Sequence, residues 1–230
     1  MNKRVAILQS NYIPWKGYFD IINSADLFIF HDDLQYTKND WRNRNKIKTP
    51  DGSVWLTVPC GSDEHRLICD VALSDRKWQR DHWNRIRQNY RKSRYFSKYA
   101  DFFEDVYLKK SWTMLSELNQ YLIKHIASEF LGIKTSFEDS RRYNLERKKA
   151  TRVVELCVKA GATSYLSGPT AKDYLSEQDF AGTGIKLEWM DYSRYPEYSQ
   201  LYPPFEHQVS VLDLIFNEGP DARCYMKSFL

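Results

Sequence analysis

Glycine and proline are sparse, 9 and 8 in 230 residues, and neither gathers into a linker. Chains split into separate domains usually mark the boundary with such a stretch. One continuous domain over 1–230 is therefore expected. No apolar run approaches the roughly 20 residues that a membrane span needs. The start, MNKRVAILQSNY, is basic, but its apolar run is too short for a signal peptide. A cytoplasmic location without a membrane span is the expectation. The four cysteines, Cys60, Cys69, Cys157 and Cys224, form no CxxC and no paired Cys/His spacing that would hold zinc. Reduced thiols, mostly buried, are expected. No GxxxxGK[ST] loop, GxSxG elbow, internal repeat or low-complexity tract occurs.

Aromatic residues are plentiful by contrast, 15% of the chain, led by 16 tyrosines. Tyr and Trp join an apolar face to a hydrogen-bonding tip, which suits sugars and bases as well as a core. The net charge of +4 is mildly basic. It permits an anionic substrate such as a nucleotide without requiring nucleic acid.

The periodicity predicts α/β alternation at both ends of the chain. Strands are expected at Val5–Leu8, Leu27–Phe30, Val54–Pro59, Ile68–Leu73, Lys134–Phe137, Thr163–Leu166 and Ile185–Met190. Helices are expected at Trp15–Ala25, Leu145–Ala160, Ala171–Leu175 and Val211–Asn217. Ser210 has the look of an N-cap, with Asp213 completing a capping box. Residues 36–53 read as polar and turn-rich. From Asp75 an amphipathic stretch carries Trp78, His82, Ile86 and Tyr90 at helical spacing, and further helices follow to about 131. The region 75–131 reads as a helical insertion in a Rossmann-like parallel sheet.

Five segments carry candidate chemistry. In QSNYIPWKGYFDII, Gln9, Asn11 and Tyr12 offer hydrogen bonds, Trp15 a stacking face, Gly17 close approach and Tyr18 a further polar ring. The same residues would also fill a tightly packed turn. Ligands of open α/β sheets sit at the carboxyl ends of strands, where this segment falls. His31, Asp32 and Asp33 leave the next strand, followed by Gln35, and suit a polar ligand, a base or a solvated loop. Adjacent carboxylates point in different directions, so a shared metal is not expected. Arg42, Asn43 and Arg44 form a possible anion clamp, since guanidinium meets phosphate in a bidentate fork. Ser167-Gly168 ends a strand, and Lys172-Asp173 lies in the helix after it, a junction that can cradle phosphate. Gln200 and His207 stand in an irregular aromatic segment, where a lone histidine is more often packed than catalytic.

Taken together, QSNYIPWKGYFDII, ADLFIFHDDLQYTKNDWRNRNKI, WLTVP, YLSGPTAKDYL and YSQLYPPFEHQVSVLDLIFNEG resemble the WbqC-like family nearly from end to end. The resemblance implies a part in bacterial surface polysaccharide, such as O-antigen, and in the modification of unusual sugars. The order of motifs is also similar to pantothenate synthetase and the wider nucleotidylyl-transferase-like (HUP) α/β group. There the first turn carries HxGH; here Asn11–Tyr18 occupies that place without the two histidines. The resemblances imply an enzyme acting on a nucleotide-linked amino sugar. Its sharpest form is a ligase that uses ATP with Mg²⁺ and an acyl-adenylate. Asn11, Tyr12, Trp15 and Gln35 would hold substrate, Arg42, Arg44 and Lys172 would face phosphate, and Asp33 would orient or deprotonate the amine. A transferase using a preformed donor, and a non-catalytic nucleotide-sugar-binding or scaffold protein, are the alternatives. Oligomeric state is not legible.

Overall fold

The computed structural model describes residues 2–73 and 75–230. Its centre is a parallel sheet of β1 (Arg4–Leu8), β2 (Leu27–Phe30), β5 (Ser136–Asp139), β6 (Ser164–Ser167) and β7 (Lys186–Trp189). The strand order is β5-β2-β1-β6-β7. Register is set by pairs such as Val5↔Leu27 and Val5↔Tyr165. The inner strands RVAIL and LFIF are nearly continuous apolar runs because helices cover both faces. Side chains alternate between two cores. Val5, Ile7, Leu27, Ile29 and Tyr165 meet Val153, Leu156 and Cys157 of α5 (Lys149–Lys159). Ala6, Phe28, Phe30 and Leu166 face Phe19 and Ile22 of α1 (Lys16–Asn23) and the helices beyond. Each fully buried side chain of this kind contributes about 2 kcal/mol. The chain is thus an α/β protein with a Rossmann-like sheet.

Between β2 and β5 the chain forms an antiparallel hairpin, β3 (Arg44–Thr49) and β4 (Gly52–Thr57), then α2 (Lys77–Tyr90), α3 (Phe96–Glu104) and α4 (Leu115–His125). The hairpin turns at Pro50-Asp51-Gly52, where Gly52 takes φ 109°. β3 lies inside the stretch read as turn-rich, and the reason is chemical. Its inward side chains include Asn45, whose amide donates to the carbonyls of Tyr12 and Ile13 at 3.2 and 3.0 Å. That bond braces Ile13, a β-branched residue held at φ 36°. Ile68–Leu73 is not a strand: Ile68–Asp70 is a single 3₁₀ turn. α2 buries the expected stripe of Trp78, His82, Ile86 and Tyr90. α3 and α4 each end in a π turn, Asp105–Lys109 and Ile126–Phe130.

The expected helix Ala171–Leu175 is a 3₁₀ turn, Pro169–Asp173. The last helix, α6 (Val211–Glu218), is capped by Ser210, whose hydroxyl accepts from Leu212 N–H at 3.2 Å. Asp213 does not complete a capping box. Its buried carboxylate accepts instead from Tyr90 and Tyr198 at 2.9 and 2.8 Å, tying α6 to α2 and to the irregular segment before it.

Candidate functional site

The strand order reverses between β1 and β6, so the connections that follow them leave on opposite faces of the sheet and a crevice opens between, the usual ligand place in open α/β sheets. A cavity of about 490 Å³ opens there. Its wall includes Gln9 after β1, His31 after β2, Lys149 and Arg152 from the first turn of α5, and Tyr165 and Tyr174 from β6 and the turn beyond it. No carboxylate lines it among the described residues. A second cleft of about 440 Å³ lies at the amino ends of the strands. Its charges pair with one another, Arg4 with Glu188 at 2.8 Å and Lys186 with Glu188 at 3.3 Å, leaving no sign in excess.

The residues around Gln9 hold one another. Gln9 Oε1 accepts from Arg42 Nη2, and Tyr18 donates its hydroxyl proton to the Gln9 carbonyl at 2.8 Å. Arg42 also pairs with Asp40 at 3.1 Å, and its carbonyl accepts from Asn119 at 2.8 Å. Arg42 is not itself among the residues that line the cavity and reaches its wall through Gln9. Two polar atoms in this region have no protein partner, Arg42 Nε and Asn11 Oδ1.

Asp32 and Asp33 point apart, as adjacent carboxylates must. Asp32 is wholly buried and accepts from Ser10 N–H at 2.7 Å and from Gln120 at 2.9 Å. Burial raises its pKa despite those bonds. Asp33 pairs with Arg152 Nη2 and accepts the Ser140 hydroxyl proton. Asp33, expected from the sequence to orient or deprotonate the amine, is thus held in an ion pair, with one contact on each carboxylate oxygen. His31 is pushed down to about 4, first by burial and then by Arg152, so it is neutral near pH 7.

Other candidates lie elsewhere. Tyr12 is a core residue: fully buried, with its hydroxyl 2.8 Å from His82 Nδ1 and 2.5 Å from the Tyr107 hydroxyl. Gly17 makes room for a neighbour rather than a ligand, since a Cβ there would lie 2.3 Å from Trp15 Cζ2. Trp15 itself meets Tyr192 and Tyr195 edge-on at 5.3 and 5.7 Å. Asn43 is buried and donates to Val58 O at 2.9 Å, a brace of the hairpin. Arg44 stacks over Trp55 at 4.2 Å on the hairpin's outer face, beside Trp41. Gln35 is exposed and donates to Glu64 O. Ser167 is buried and accepts from Tyr165 at 3.2 Å. At Gly168 packing does not demand glycine, because a Cβ would meet Tyr192 only at 3.8 Å. Lys172 and Asp173 are exposed and off the cavity wall, with Lys172 lying 5.4 Å over Trp189. Gln200 clasps the Glu206 backbone with two bonds of 2.8 Å, and His207 packs on Phe205 at 4.6 Å.

Lys149 and Arg152 are cavity residues that the sequence reading missed, and no local motif marks them; Tyr174 lies within the YLSGPTAKDYL segment but was not singled out there. The signal that could have found them is topological: each lies just beyond a strand's carboxyl end or at the start of a crossover helix.

Fold and cavity together define a Rossmann-like α/β protein with a crevice at its switch point whose largely apolar wall carries Gln9, His31, Lys149 and Arg152 and no acid among the described residues. The chain belongs to the WbqC-like protein family, whose model matches residues 9–225. An uncharacterized protein of Mycobacterium tuberculosis is 44% identical over 227 residues, 98% of either chain. No solved structure matches the chain significantly. Among the described residues no helix is long and apolar enough to cross a membrane.

Proposed function

We propose that the carboxyl-edge cavity binds a nucleotide-linked sugar, and that the chain acts in modifying that sugar for a bacterial surface polysaccharide. One observation carries the binding half: the wall offers Lys149, Arg152, Gln9, His31 and two tyrosines, and no acid. Cationic groups favour phosphate oxygens, and tyrosine rings offer faces for a base or sugar. Membership of the WbqC-like family supports the polysaccharide half.

Chemistry here would rest on positioning and charge more than on a strong base. Asp33 is held in an ion pair, so an amine nucleophile would have to arrive uncharged. ATP-dependent acyl or aminoacyl ligation is a second reading, favoured by the cationic wall, which suits a polyphosphate. The wall's donors fit phosphate oxygens. Mg²⁺ held there would draw its ligands from phosphate and water, since the wall supplies no carboxylate.

The test is a thermal-shift panel of ATP, AMP and UDP-, GDP- and dTDP-sugars, with and without Mg²⁺. A ligand that binds only the folded state raises the midpoint. A shift with a nucleotide sugar, abolished by Lys149→Ala, is expected. A shift with ATP alone would favour the ligase, and silence across the panel would overturn the proposal.

A further inference from the structure

His31 lies on the cavity wall, yet the residue is only 4% exposed and its ring is tightly fixed. Its backbone N–H donates to Leu8 O at 2.9 Å, an extension of the β1–β2 ladder. Arg152 Nε donates to His31 Nε2 at 3.2 Å. A guanidinium has only donors and keeps its charge at any ordinary pH. The nitrogen that faces it must therefore offer a lone pair. A neutral imidazole with a lone pair on Nε2 carries its proton on Nδ1. Among the described residues no protein group bonds that Nδ1; both contacts of the ring, to Arg152 and to Asp33 at 3.7 Å, are made through Nε2.

Arg152 is itself held from several sides. Nη2 pairs with Asp33, and Nη1 donates to the carbonyls of Leu145 and Arg147 at 3.4 and 3.3 Å. Asp33 is fixed in turn by the Ser140 hydroxyl. Three polar side chains from three separate segments, Asp33, Ser140 and Arg152, thus orient one ring. Packing alone would be served as well by an apolar residue at 31, and this position borders the cavity.

We propose that His31 is a fixed N–H donor of the cavity, its Nδ1–H bonding a phosphoryl oxygen of the ligand, with Arg152, Asp33 and Ser140 as positioning residues. The phosphoryl class follows from the wall, where Lys149 has no ion-pair partner among the described residues and no carboxylate lines the cavity, the Arg152 charge being paired with Asp33. This assignment rests on the cavity being the ligand site. It also removes His31 from the list of proton carriers. A proton on Nε2 would set an imidazolium against the guanidinium of Arg152. The charged and titratable groups around the ring are Asp33, Asp139 and Arg152, with Lys149 on the same wall.

Two readouts on the intact chain test the assignment, with inorganic pyrophosphate as the probe. Long-range ¹H–¹⁵N spectra should show His31 as the neutral Nδ1–H tautomer at pH 7. The spectrum should hold down to about pH 5.5, and Arg152→Gln should let the ring titrate nearer its ordinary value. A protonated ring or the Nε2–H tautomer at pH 7 would overturn the assignment. In binding, His31→Asn places an amide N–H near the position of Nδ1 and should hold pyrophosphate within about threefold. His31→Leu should weaken it by about tenfold or more, as loss of a charge-assisted hydrogen bond does. Leucine binding as tightly as histidine would overturn the donor role while leaving the cavity reading intact. Failure of the wild-type chain to bind pyrophosphate would overturn the phosphoryl assignment. Binding that shifts no resonance of His31 would place the anion elsewhere and sink the cavity reading as well.

Discussion

Acid should destabilise this protein well before its carboxylates are protonated, because two histidines are buried in neutral form. His31 and His82 both have pKa values lowered to about 4, chiefly by burial. In the unfolded chain each would titrate near about 6.5. The unfolded state therefore takes up the proton first. Stability that is present in full above about pH 6.5 is lost as pH falls towards about 4, at about 1.4 kcal/mol per pH unit for each ring. From pH 7 to pH 5 the loss is about 2 kcal/mol per histidine and about 4 kcal/mol for the pair. That is a large share of the ordinary stability of a domain. The carboxyl groups of Asp32 and Asp213, raised by burial, act in the opposite sense as pH falls through their folded values. Urea unfolding at pH 7, 6 and 5 measures the effect. The variant His82→Asn, which keeps a polar group near Tyr12, should lose about half of the slope whatever its absolute stability. A midpoint that stays flat between pH 7 and 5 would refute the reasoning, as would histidine resonances that titrate near 6.5 in the folded protein.

Removing the Asp213 carboxylate strands the buried hydroxyls of Tyr90 and Tyr198. Asp213→Ala should cost about 2–4 kcal/mol in urea unfolding, and Asp213→Asn less, since the amide oxygen still accepts. Gly17→Ala drives a methyl into the Trp15 ring and should cost about 1–3 kcal/mol, with a change in tryptophan fluorescence as that ring moves. Arg42→Ala frees Gln9, which lines the cavity; nucleotide-sugar affinity measured by calorimetry should fall about tenfold, with the thermal midpoint little changed.

The strands Val5–Leu8 and Leu27–Phe30 were legible because strands covered on both faces must be apolar throughout. The α2 stripe was legible because Trp78, His82, Ile86 and Tyr90 fall on one face. β3 was not, because Ile47 is its one apolar residue and the buried Asn45 beside it is satisfied by hydrogen bonds rather than by apolar contact. Asn45 looks like a turn residue until its amide is seen to hold the Tyr12 and Ile13 carbonyls. Within the aromatic turn, a tyrosine chosen for a buried hydrogen bond looks like one chosen for a ligand. Gln9 faces the cavity and Tyr12 faces the core, and only the third dimension separates them. The partnership of His31 with Arg152 spans 121 residues and leaves no local trace. What the sequence did convey is that the carboxyl ends of the first strands would carry polar side chains.

The most direct test of the carboxyl-edge site is hydrogen–deuterium exchange with and without a saturating nucleotide sugar taken from the thermal-shift panel. Protection should concentrate in peptides covering Gln9–Tyr12, His31–Leu34, Lys149–Val153 and Gly168–Tyr174, with the hairpin tip at Pro50–Gly52 unchanged. Protection confined to the amino-end cleft around Arg4 and Lys186, or to the Trp41–Trp55 face, would contradict it.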